Sequence, residues 1–157
     1  MTTGRTRADI EAEVRGVLDG WAEATRAKDI DGIMARYAPD VLAFDCHSAL
    51  RFKGRAALRG HLEACLPAMR GPVIFEMHDL DVTAGDDLAF GHCIARCGGT
   101  GPDGKEHSAW LRITVCLRPT DGRWLIVHDH CSAPFDAPTG RALLDLAPSD
   151  GDRVAAA

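Results

Sequence analysis

Lysine is scarce in this chain: three lysines stand against fifteen arginines, and neither type clusters. With a formal net charge of -5 there is no basic field for a phosphate backbone, so nucleic acid is not an expected partner. The arginine preference reads as a coding bias and carries no chemistry. Long apolar runs are also missing. None approaches the roughly 20 residues that cross a bilayer, so no membrane partner is expected. Residues 1–9 are polar and lack the apolar core of a signal peptide, which makes the cytoplasm the expected compartment. There is no glycine-rich phosphate loop and no dinucleotide fingerprint, hence no organic cofactor to expect. Nor is there an internal repeat or an interdomain linker. The reading is one domain over residues 1–148, followed by a small polar tail, residues 149–157, expected to be loose.

What remains is an ordinary globular composition, 46% hydrophobic over 157 residues, enough to bury a core. Six cysteines lie at positions 46, 65, 93, 97, 116 and 131. In the cytosol they are expected as thiols. Cys93 and Cys97 lack zinc-site spacing and no second pair follows, so the group reads as small core residues and no metal is assigned.

Apolar residues at helical spacing (Ile10, Val14, Val17, Leu18, Trp21) predict an amphipathic helix over 8–28. Asp29 is a good cap for a second helix that buries Ile30, Ile33, Met34 and Tyr37 and ends at Pro39. A short strand, 41–45, precedes a hairpin partner at Arg51-Phe52. Gly54 opens a third helix with Leu58, Leu62, Cys65 and Met69 on one stripe. From Pro72 the period changes to two, giving four long strands at 73–83, 88–97, 106–118 and 124–133 with turn chemistry between them. Helices first and an antiparallel meander after them make an α+β domain, a curved sheet wrapped partly around three helices.

The strongest chemical signal is the last strand, Trp124 to Ser132. Strict alternation puts His128, His130 and Ser132 on one face with Trp124 and Ile126. Two rings and a hydroxyl beside large apolar groups suit a pocket wall. They equally suit a structural cluster in which each ring is bonded to a neighbouring carboxylate or hydroxyl. A third reading makes them metal ligands with Asp45 or His92. On the strand before it, Trp110, Arg112, Thr114 and Cys116 share a mixed face that either lines a pocket or meets solvent. Arg112 would orient a carboxylate or enolate there, or else bridge to Asp129 or Glu76. His92 lies with Leu88, Phe90 and Ile94. His78 and His107 read as surface residues, and His61 could face either way.

The runs Tyr37-Ala38-Pro39-Asp40-Val41, Phe75-Glu76, Gly85-Asp86-Asp87-Leu88-Ala89-Phe90, Trp110-x-Arg112-x-Thr114, and Asp121-Gly122-x-Trp124 through Asp136 form a set. Together they resemble the SnoaL-like, ketosteroid-isomerase-like bacterial group of the nuclear transport factor 2-like superfamily. The resemblance covers about residues 8–147. It implies a cone-like fold with a cavity between helices and sheet, and pairing through the outer face of the sheet. It puts Asp45 where the isomerases hold their general base. It also puts Trp21 where they carry a donor tyrosine, and no carboxylate near 112–114 where they carry a protonated acid, so steroid isomerisation itself is not expected. The strand-final motif is also similar to the association domain of calcium/calmodulin-dependent protein kinase II, with Cys131 at that motif's arginine.

Two functions follow as expectations. One is a cofactor-free enzyme on a small apolar carbonyl-bearing or polycyclic metabolite, with isomerase, cyclase, dehydratase or hydrolase outcome. Asp45 would be its base, His128 or His130 would return the proton, and Arg112 would hold negative charge. Trp21, Tyr37, Phe44, Phe90, His92 and Trp110 would contact the substrate. The other is a non-catalytic module that binds a ligand or holds an assembly together. In either case a homodimer through an outer sheet face rich in Leu, Val and Cys is expected. Cavity geometry separates the two: the enzyme reading gains if Asp45, Arg112 and the two histidines line one pocket, and loses if the histidines stand on the outer face.

Overall fold

Helix α1, Arg7–Arg26, begins where the sequence supplies a reciprocal cap. The Thr6 hydroxyl accepts the Asp9 N–H at 3.1 Å and the Asp9 carboxylate accepts the Thr6 N–H at 2.9 Å, satisfying donors that a helix start leaves open. Ile10, Val14, Leu18 and Trp21 form the buried stripe that the periodicity predicts. The computed structural model describes residues 4–148, and the expected tail at 149–157 lies outside the described residues.

Asp29 caps helix α2, Ile30–Met34, by accepting the Gly32 N–H at 2.9 Å. This helix is shorter than expected. Tyr37, assigned from sequence to its last turn, instead opens strand β1, Tyr37–Phe44, opposite Ile126. Pro39 restricts Ala38 to extended backbone, and the extended run reaches back through it to Tyr37. After β1 come β2, Phe52–Lys53, and helix α3, Arg55–Cys65, entered through Gly54 at φ +81°, a region glycine tolerates best. A short 3-10 turn, Leu66–Ala68, leads to β3, Arg70–Ala84, then β4, Ala89–Thr100, β5, Glu106–Thr120, and β6, Arg123–Ser132.

The six strands form one curved sheet in the order β2-β1-β6-β5-β4-β3. Every pairing is antiparallel except β1 with β6, which is parallel. Helix α1 lies on β3 and α3 on β1, so the helices cover one face of an α+β domain. No helix among the described residues is long and apolar enough to cross a membrane.

Which side chains face the helices is set by two details. On β4 the inward residues are small, Ala89, Gly91, Cys93 and Ala95, because α1 sits close: a Cβ on Gly91 would lie 3.0 Å from Leu18 Cδ1. The bulky Phe90 and His92 therefore stand outside, exposed. On β6 the ladder slips. Cys116 of β5 faces His128, but its neighbour Leu117 faces Ile126, so Val127 is an extra residue. One such bulge exchanges the two faces of everything beyond it. Trp124 and Ile126 are buried before the bulge, and Asp129 and Cys131 turn inward after it. The alternation expected from sequence, with both histidines on the face of Trp124 and Ile126, is overturned by that single residue.

Candidate active site

Between the helices and the sheet lies a cavity of about 300 Å³, the size of a small organic ligand. Its walls are mostly apolar: Trp21 from α1, Leu58 from α3, Phe75 from β3, and Leu111 and Ile113 from β5. Trp21 packs its ring edge-on against Phe75, centroids 5.1 Å apart, and against Tyr37 at 6.5 Å.

Two polar pairs interrupt these walls. The first is Asp45 with His61. Asp45 follows directly on β1, and its Oδ2 lies 3.0 Å from Nε2 of His61 on α3. The His61 side chain is 4% exposed, stacked on Phe52 at 4.3 Å, while the Asp45 side chain is 26% exposed. A buried ring stacked on Phe52 and bonded to the carboxylate fixes the direction in which Asp45 presents its other oxygen. His47, on the loop that follows, brings its Nε2 to 3.8 Å from Asp45 Oδ1.

The second pair is Tyr37 with Asp129. The Tyr37 hydroxyl donates to Asp129 Oδ2 at 2.5 Å. Enclosure pushes the Asp129 carboxyl up from 3.8 to about 6; the Tyr37 bond and His128 oppose this, while the Asp45 charge adds to it. Burial, and then the negative charge it faces on Asp129, lifts the Tyr37 hydroxyl well above its ordinary value, partly offset by Trp21. Asp45 also raises both groups, so the two pairs feel each other across the cavity. Nearby, the interaction of the Cys46 and Cys131 thiols pulls Cys46 down and pushes Cys131 up.

Of the residues singled out from sequence, the fold gathers Trp21, Tyr37, Phe44 and Asp45 at the cavity. It does not gather His128, Arg112, Trp110, Phe90 or His92, which all stand on the other face of the sheet. His128 donates from Nδ1 to the Leu42 carbonyl at 2.6 Å, and its ring and that of His130 meet Phe44 at 4.9 and 5.5 Å. His130 borders the cavity mouth but is exposed. Arg112 donates to Ser132 at 3.2 Å, not to Asp129 or Glu76, and Trp110 packs edge-on against His78. His92 faces Asp81 at 3.6 Å. Of the two histidines given the acid role, His130 is at the cavity and His128 is not, and Arg112, given the charge-holding role, is on the other face of the sheet. The outer face is also not the Leu-, Val- and Cys-rich surface expected. The aliphatic side of β5 points inward, and the outer side is a mixture of aromatic, histidine and arginine residues.

From sequence His61 can face either way, and Asp129 enters only as an ion-pair partner for Arg112. Asp129 was hidden by the bulge. His61 was signalled, since it lies one turn from Leu58 and Cys65 on the apolar stripe of α3.

The model for the SnoaL-like domain matches residues 14–136. The chain belongs to the SnoaL-like domain family. Solved structures agree. This SnoaL-like chain is 43% identical to an NTF2-like protein of unknown function from Pseudomonas putida, with a TM-score of 0.84 over 92% of this chain and 100% of that one. A ketosteroid isomerase-like protein from Erwinia carotovora atroseptica shares 18% identity at a TM-score of 0.67, over 78% and 94% of the two chains. The association domain of C. elegans CaMKII shares 17% at 0.65, over 80% and 97%. The NTF2-like fold is thus the fold of this SnoaL-like domain. No curated protein matches the chain.

Proposed function

We propose that the cavity is the active site of a proton-transfer enzyme acting on a small, apolar, enolisable carbonyl compound. The observation that carries this reading is the presence of two polar pairs in one apolar cavity, one of them a carboxyl group pushed up to about 6. Asp45, oriented by His61, takes the proton from the carbon next to the carbonyl. The electron pair of that C–H bond moves onto the carbonyl oxygen. Tyr37 turns its hydroxyl hydrogen from Asp129 to that oxygen and the protonated form of Asp129 donates to it as well, between apolar walls that strengthen both bonds. The proton then returns to another carbon, an isomerisation, or a β-hydroxyl leaves as water, a dehydration. Trp21, Phe75, Leu111 and Ile113 select for an apolar body.

The test needs no known substrate. Apolar cyclic ketones incubated with the protein in D2O should exchange hydrogen for deuterium next to the carbonyl, followed by NMR. We expect Asp45→Asn to slow that exchange by at least about 100-fold, the range for losing a general base. Exchange at the solvent rate with every ketone, or an unaffected Asn variant, would overturn the reading.

The outer face supports a separate proposal about assembly: the chain pairs with a second copy there. Phe90 on β4 is 41% exposed and Leu88, in the turn just before that strand, 49%, and exposed apolar groups of that size suit an interface.

A further inference from the structure

The cavity mouth carries a second constellation. His47 on the loop after β1, and His61 and Cys65 on α3, bring three potential ligand atoms within 4.8 Å of one another. From this convergence we infer that the mouth is a binding site for one zinc-class divalent ion, held by His47 Nε2, His61 Nδ1 and the Cys65 thiolate.

The geometry is specific. His61 and Cys65 are four residues apart on one helix and so share a face. Cys65 Sγ lies 3.6 Å from His61 Nδ1. Two ligands at about 2.3 Å (sulfur) and about 2.0 Å (nitrogen) from a shared tetrahedral ion stand roughly 3.5 Å apart, so these two need almost no movement. The other nitrogen of His61 is engaged by Asp45 at 3.0 Å. A carboxylate behind a histidine ring is the arrangement that fixes a metal-ligating imidazole and raises its basicity. The third ligand is oriented in the same way: His47 Nδ1 bonds to Ser48 Oγ at 2.7 Å, which frees its Nε2.

Ligand chemistry sets the class of ion. One thiolate with two imidazoles favours zinc or cobalt over magnesium or calcium, which prefer oxygen. Three protein ligands leave a fourth position for water or a ligand group. Ligation would require the Cys65 thiol to release its proton to solvent. A competing set, Asp45, Cys46 and His47, is three consecutive residues, whose closeness the chain itself enforces. His47, His61 and Cys65 come from two separate segments and meet only because the chain folds. The inference is independent of the proton-transfer reading, because Asp45 keeps its bond to His61 whether or not an ion is present.

Cobalt is the probe, since its spectrum reports both thiolate ligation and coordination number. The whole chain, reduced and stripped of metal, is titrated with Co2+. We expect one ion per chain, a thiolate-to-metal charge-transfer band in the near ultraviolet, intense four-coordinate visible bands, and displacement by zinc. Cys65→Ser should abolish the charge-transfer band, and His47→Ala should weaken binding at least on the order of 10-fold. Cys46→Ser should change neither, and circular dichroism checks that each variant is folded. No band in the wild type, a band that survives Cys65→Ser, one lost with Cys46→Ser, or unchanged affinity in His47→Ala would each overturn the site. None of these readouts depends on turnover, so a failure here is distinct from a failure of the exchange test.

Discussion

At the scale of single residues, Asp129 has the most to report, because its titration is set by the fold. Its carboxyl is pushed up from 3.8 to about 6, chiefly by enclosure, with Asp45 adding to the rise and Tyr37 and His128 opposing it. The folded state therefore holds the proton over a range in which the unfolded chain has released it. Linkage gives the sign. The contribution of Asp129 is complete below about pH 4 and is lost as pH rises through about 6. A rise of that size corresponds to about 3 kcal/mol of stability lost by high pH. Asp129→Asn keeps an oxygen that accepts the Tyr37 hydroxyl and cannot ionise. In urea denaturation at pH 4 and pH 8, the variant should gain stability over the wild type at pH 8 and differ little at pH 4. If the same variant also slows ketone exchange, one group both costs stability and serves chemistry, as expected of a functional site in a protein with stability to spare. Equal stability differences at the two pH values would show that Asp129 does not titrate in this way.

The element scale is where backbone approach decides. Gly98, on β4 at the cavity wall, lies so close to β5 that an added Cβ would stand 2.0 Å from the His107 carbonyl oxygen and 2.7 Å from Ser108 Cα. Those atoms belong to the ladder and cannot retreat without breaking it. Gly98→Ala should cost several kcal/mol, in the range of severe overpacking, or prevent soluble folding. Gly60 is the opposite case: it is exposed on α3 with nothing within 4 Å of a new Cβ. Gly60→Ala should stabilise by roughly 0.5–1 kcal/mol through helix propensity. Thermal denaturation of the two variants checks both signs. The same scale explains what could be read in advance. Helix α1, helix α3 and the four long strands were legible because period and turn residues repeat over many positions. The faces were not legible in β4 and β6. In β4 the bulky residues are outside, against the usual rule, because α1 needs small neighbours. In β6, Val127 carries no mark that distinguishes a bulge from a regular strand residue. The site suffered accordingly: Asp45, directly after β1, and His130 are at the cavity as assigned, whereas His128 was assigned to it and is not there, and Asp129 between them was not assigned to it and is.

At the scale of the whole molecule, the residues displaced from the cavity need another account, and assembly supplies one. The outer face carries exposed Phe90 with His92 at 6.4 Å, Trp110 against His78, and His128. Arg96 lies among them, paired with Glu76 at 3.7 Å and Glu106 at 2.9 Å. Aromatic groups beside paired charges are the pattern of an interface whose anchors are apolar and whose rim is polar. If a second copy covers this face, the chain should sediment at about twice its mass of 16.9 kDa. Phe90→Asp should return it to a single chain, because it replaces an apolar anchor with a charge that pairing would have to bury. Since Phe90 is 41% exposed in the single chain, the substitution spares the core, and helix content by circular dichroism should be unchanged. A monomeric wild type would refute pairing altogether, and a dimeric Phe90→Asp variant would move the interface off this face. A dimer that yields to the substitution, with ketone exchange intact, would separate the two faces of the sheet by role: Asp45, His61, Tyr37 and Asp129 for chemistry, and the aromatic and histidine side for assembly.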